Sequence, residues 1–177
     1  GEANDKPGYW GNAADGRGYD DEFGKPLYEV APWDELPSAT ADTITFSWDP
    51  YNTVTWEYDA EDGLYSRFID GREHTWISGQ DGDEEQVPVP VLVVLVGRRY
   101  TASPPGNAPG SALPATETIG SGTLYVFLEG SVLEGTWERE GIASSFSLRD
   151  AAGNPVSVPP GLPWISVFPD NRTIDWS

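Results

Sequence analysis

The segment Ile119–Trp137, IGSGTLYVFLEGSVLEGTW, constrains the fold more than any other stretch. Two runs of strand-forming residues, Thr123–Leu128 and Ser131–Trp137, flank Glu129-Gly130. A short glycine-containing turn between two such runs is a β-hairpin signal, because the glycine can take φ > 0 where the turn needs it. The core is expected to form on this hairpin.

Strand signals also dominate the rest of the chain. Thr43–Trp48 alternates strictly, with Ile44, Phe46 and Trp48 on one face. Thr53–Tyr58 does the same with Val54, Trp56 and Tyr58. Turn residues at Ala60–Gly63 and Asp70-Gly71 lead into Leu64–Ile69 and His74–Ser78, so Thr43–Ser78 reads as a four-stranded meander. Gly79–Gln86 reads as a solvated acidic loop. In Val87–Val96, Pro88 and Pro90 put the start at a sheet edge or outside the sheet. The VLVVLV run that follows is apolar on both faces, as in a strand covered on both sides. Thr101–Thr116 reads as a Pro/Gly/Ala/Ser-rich loop prone to disorder. Ile142–Leu148, Pro155–Val158 and Trp164–Phe168 are further strands, and the tail PDNRTIDWS carries no assigned element.

About ten short strands at 8–12-residue spacing predict a mainly β fold with little helix, its antiparallel sheets packed as a sandwich or an open barrel. Residues 1–38 read as an arm and connector that Trp10, Tyr19, Trp33 and Leu36 could pin down; residues 39–177 read as the β-rich domain.

Composition narrows the functions. The formal charge is −19, with ten Lys and Arg against 29 Asp and Glu. That argues against nucleic acid, which needs a basic surface, and against adsorption on anionic lipid. Cysteine is absent, which excludes disulfides, thiolate chemistry and Cys-containing zinc sites. Methionine is absent even from position 1, so the chain is expected to be processed or cut from something longer. The longest apolar run, Val91–Val96, is too short for a membrane span. A soluble piece without a cofactor is expected.

Candidate site residues follow from side-chain chemistry. His74 is the one histidine, so any His-dependent triad would have to use it, yet no G-x-S-x-G elbow exists to supply a nucleophile. Gly120-Ser121-Gly122 precedes a strand, not a helix, so it reads as a close backbone approach and not as a phosphate loop. The run Asp81, Asp83 and Glu84 is the nearest approach to a calcium loop, but it lacks EF-hand spacing. Paired carboxylates could hydrolyse a glycoside if they flanked a cleft. Aromatic residues beside arginine are the most useful hint. Trp56, Tyr65 with Arg67, and Trp137 with Arg139 lie on predicted strands, where exposed rings could stack on sugars and Arg could fork to a carboxylate. The competing reading makes the rings core and the arginines their flanks.

Several blocks also carry a resemblance. TVTWEYDAEDGLYSRFIDGREH, then IGSGTLYVFLEGSVLEGTWERE, then SLRDAAGNPVSVPPGLPWISVFP, resemble in order and spacing the C-terminal half of the YerB-like bacterial lipoproteins, whose domains are of unknown function. The matching blocks cover roughly residues 43–169. The resemblance implies an exported, lipid-anchored bacterial parent protein and a β-rich, α+β family fold, with the first residues being the tail of a preceding domain. The Pro-rich Thr101–Thr116 and the aliphatic Val87–Val96 depart from the pattern, and no lipid-bearing N-terminal cysteine is present. The expected function is a non-enzymatic extracytoplasmic binding module whose partner is cell-wall glycan or an envelope protein. A carbohydrate hydrolase with paired carboxylates and a purely structural support for the preceding domain are the alternatives.

Overall fold

A computed structural model describes residues 26–49, 51–78, 82–102 and 112–177. The elements in chain order are β1 (Thr43–Asp49), β2 (Asn52–Asp59), β3 (Leu64–Ile69), β4 (Arg72–Glu73), β5 (Thr75–Ser78), β6 (Asp83–Gln86), β7 (Pro88–Val89) and β8 (Val91–Gly97). They continue with β9 (Arg99–Ala102), β10 (Leu113–Thr116), β11 (Gly120–Leu128), β12 (Ser131–Arg139), β13 (Ser147–Asp150), β14 (Trp164–Pro169) and β15 (Ile174–Trp176). Among the described residues the fold is all-β, without a helix. Among these residues no sheet closes into a barrel.

Two sheets carry the structure. One has the order β15-β1-β2-β3-β4, with β7 also on β3; the other has the order β13-β12-β11-β8-β14. Every pairing in them is antiparallel except β14 with β8, which is parallel. The predicted hairpin is β11–β12, and its turn residues Glu129 and Gly130 both have positive φ, 49° and 70°, as a type I′ turn requires.

Strand β8 sits between β11 and β14, and alternation splits its side chains between two cores. Leu92 and Val94 join Ile44, Phe46, Trp56, Tyr65, Phe127 and Phe168 in the core between the sheets. Val91, Val93 and Leu95 join Leu124, Val126, Trp137 and Val158 on the opposite face. Tyr28 and Trp33 cover that second face, and Trp33 Nε1 donates to the Ser157 carbonyl at 2.8 Å. The two prolines explain the crossing. Pro88 lies in β7 on the edge of the first sheet, and after Pro90 the chain enters the interior of the second.

Some sequence expectations change. The meander ends after β3: β4 pairs with it over only two residues, and β5 leaves the sheet. The supposed acidic loop contains β6, which pairs with β5 in a separate ribbon. Both faces of that ribbon are largely solvated, so β6 has no apolar alternation to reveal it. The ends of the Pro-rich segment form the β9–β10 ribbon. Only the end of Ile142–Leu148 is strand, because the chain turns at Gly141–Ser144 and Ile142 is exposed. Pro155–Val158 makes isolated bridges only, and the tail contributes β15, paired with β1. Leu36 is exposed, while Trp10 and Tyr19 lie outside the described residues.

Candidate functional site

Strand β3 puts Tyr65 and Arg67 on one face, two residues apart. Their surroundings differ. Tyr65 is fully buried; its hydroxyl donates to the Ala41 carbonyl at 3.4 Å and accepts from the Gly130 amide at 3.0 Å. Burial pushes the phenol well above its usual range. It ties β3 to the hairpin turn and offers nothing to a ligand.

Arg67 is half-buried between two tryptophans. Its guanidinium carbon lies 4.8 Å from the Trp164 ring centroid and 5.7 Å from that of Trp56, its cross-strand partner. Nη1 lies 2.7 Å from His74 Nδ1. Arginine can only donate, so Nδ1 accepts and the imidazole proton sits on Nε2. His74 is therefore neutral when this bond is made. Burial, and next the Arg67 charge, lower its pKa. Burial also lowers that of Arg67. Arg67 Nε and Trp56 Nε1 are buried donors without an acceptor among the described residues.

This cluster is the root of the β5–β6 ribbon. The His74 amide donates to the Arg67 carbonyl at 2.9 Å and the Val87 amide to the His74 carbonyl at 2.8 Å. The Arg67 amide donates to the Val87 carbonyl at 3.3 Å. His74 and Val87 thus flank the ribbon where it leaves the sheet. Beyond the root, Trp76 is 55% exposed and Ile77 67% exposed. They are consecutive, so they point to opposite faces of the ribbon. Trp76 stands opposite Glu85 and Ile77 opposite Glu84. A surface cavity of about 410 Å³ beside the root is lined by Ile69, Asp70, Arg72, Glu73 and His74.

The other predicted pair lies elsewhere. Trp137 is buried in the second core, its Nε1 donating to the Val96 carbonyl at 2.9 Å. Arg139 covers Phe146 at 4.8 Å and donates through Nε to the Ser144 carbonyl at 2.7 Å, which shapes the turn after β12. So Trp56, Arg67 and His74 come together, whereas Trp137 and Arg139 belong to a different layer. Sugar stacking on Trp56 or Trp137 is ruled out by burial: their exposures are 0% and 1%.

The calcium reading also changes. Asp81 lies outside the described residues, and Asp83 and Glu84 are consecutive in β6, so they face opposite ways. Among the described residues no group of three His, Cys, Asp or Glu could hold a metal ion.

Sequence reasoning missed Trp164, Trp76 and Ile77. The first becomes a partner of Arg67 only through the parallel pairing of β14 with β8, which no local pattern encodes. The second and third did leave a signal: adjacent large apolar residues in a short strand cannot both face one core.

The model of the family described as "Protein of unknown function (DUF3048) C-terminal domain" matches residues 43–165, well over half of the chain. The chain belongs to this family. The matched stretch of this DUF3048 C-terminal domain contains every residue of the root and the ribbon. The crystal structure of the YerB protein from Bacillus subtilis is similar in fold, with a TM-score of 0.62 at 18% identity. The alignment covers 94% of this chain and 53% of that one, so the chain spans about half the length of that structure. No curated protein matches this chain in sequence.

Proposed function

We propose that this DUF3048 domain is a non-enzymatic binding module of the bacterial cell envelope and that the β5–β6 ribbon grips a protein partner. The exposure of Trp76 and Ile77 carries this reading. Tryptophan is enriched among the residues that dominate binding energy, and each face of the ribbon presents one large apolar anchor. The root supports the same reading. Hydrogen bonds and stacking fix the base of the ribbon, which lowers the ordering cost of binding. The extracytoplasmic setting, with a lipid anchor on the parent protein, rests on the sequence resemblance to YerB-like lipoproteins.

The hydrolase alternative draws less support. A carboxyl acting as general acid needs a raised pKa. Paired carboxylates would need a cleft such as the cavity of about 450 Å³ that Asp34, Glu35 and Glu129 line. The carboxylates that do shift, Glu117 and Asp150, lie elsewhere and shift downward.

The test compares the wild-type parent protein with a Trp76→Ser/Ile77→Ser variant for retention of envelope proteins and of purified peptidoglycan. The wild type is expected to hold a discrete protein that the variant loses. Equal retention of proteins by both would contradict the reading. Retention of peptidoglycan alone would transfer the partner to the wall glycan.

A further inference from the structure

A second site is independent of the ribbon. The ends of β1, β10 and β14 and the turn before β15 enclose a cavity of about 340 Å³. Its lining includes Trp48, Arg99, Pro114, Thr116, Pro169 and Arg172 and, among the described residues, no carboxylate. Two arginines on one acid-free cavity stand out in a chain with ten Lys and Arg and 29 Asp and Glu. We infer that this cavity binds a small saccharide bearing a single carboxylate or phosphate group.

Two acids of the same region already accept hydrogen bonds from groups other than the cavity guanidiniums. Glu117 pairs with Arg98, and Asp170 Oδ1 accepts from the Arg99 backbone amide at 3.0 Å. Arg172 Nε donates to the Trp48 carbonyl at 3.0 Å, which anchors the side chain and leaves its terminal nitrogens as donors. The Arg99 side chain makes no hydrogen bond or ion pair among the described residues, so its whole fork is available. Guanidinium forks match the geometry of carboxylate and phosphate oxygens.

The remaining walls supply the second half of the argument. Trp48 is held edge-on by Phe168 at 5.0 Å, and Pro114 and Pro169 add rigid apolar surface. Such walls suit the C–H face of a sugar ring. The volume lies near the lower end of ligand pockets, about 300–1,000 Å³, which fits a small ligand. The chain's −19 charge opposes extended polyanions at long range, so two local arginines favour one compact anionic group.

The experiment titrates the folded chain at low ionic strength with glucuronate, glucose 6-phosphate, glucose and inorganic phosphate, read by calorimetry and by indole N–H shifts in NMR. At least one anionic sugar is expected to bind with a Kd of about 1 mM or tighter, and glucose is expected not to bind. Comparing glucuronate with glucose 6-phosphate identifies the anion. Arg99→Gln, an exposed change, should weaken binding at least roughly fivefold, whereas Arg72→Gln on β4 should leave it unchanged. Three results would each overturn the inference: no binding of either anionic sugar, equal loss in the two variants, or inorganic phosphate binding as tightly as the sugars.

Discussion

Trp56 and Trp76 are twenty residues apart, yet one is fully buried and the other is 55% exposed. Their substitutions should separate core from surface. Trp56→Ala is expected to cost about 3–5 kcal/mol, as large core truncations do. Trp76→Ala should stay within about 0.5 kcal/mol of wild type. Denaturant melts of the two variants check both values. His74 makes the second prediction at this scale. Its folded pKa lies below the ordinary imidazole value of 6.5, through burial first and Arg67 second. The unfolded chain therefore takes up the proton before the folded one does, so stability is full above about 6.5 and is lost as pH falls through the folded pKa. Protonation also turns the Nδ1 acceptor into a donor facing Arg67. Below pH 6.5 the wild type should lose stability, and His74→Gln should flatten that part of the curve. Hydrogen bonds from Arg98 and Asn154 hold Glu117 and Asp150 below the ordinary carboxylate values of 4.5 and 3.8, so their losses fall in a more acid window.

Among the elements, the β11–β12 hairpin is the most demanding of its sequence. At Gly122 an added Cβ would lie 1.9 Å from the Val96 carbonyl oxygen and 2.7 Å from Trp137 Nε1. Trp137 Nε1 donates to that same carbonyl, so three strands meet there with no room for a methyl group. Gly122→Ala should destabilise by about 2 kcal/mol or more, measured by equilibrium unfolding. The expected close backbone approach at the Gly-Ser-Gly block is thus present. The hairpin, β1 to β3 and the two-faced β8 were legible because apolar spacing and turn residues are local signals. The ribbons and β15 were not. Asp83–Gln86 buries nothing that would mark it as strand, and Ile174–Trp176 becomes strand only by meeting β1 across the length of the domain. Trp56, Arg67 and His74 were each legible as candidates, but their meeting was not, because His74 lies in no strand, between β4 and β5, and reaches Arg67 through its side chain. The pairing of Arg67 with Trp164 was not legible either, because a parallel crossover contact has no sequence period.

At the scale of the whole molecule, two cores share one central sheet, so the domain stands on aromatic and aliphatic packing with neither disulfide nor cysteine. Its charge works against it. A net −19 on 177 residues is self-repulsive, and salt screens repulsion between exposed charges. Scanning calorimetry should show Tm rising as ionic strength increases from about 0.01 to 0.15 M; a flat or falling Tm would mean that local ion pairs outweigh the net charge. We propose the ribbon, and not the buried tryptophans, as the place where the molecule meets a protein partner. The most direct test places a photocrosslinking aromatic residue at Trp76, and separately at the exposed control Tyr51, in the protein as its native cells produce it. The account predicts a discrete protein adduct from position 76 that position 51 does not form. The absence of an adduct at 76, or the same adducts from both positions, would contradict it.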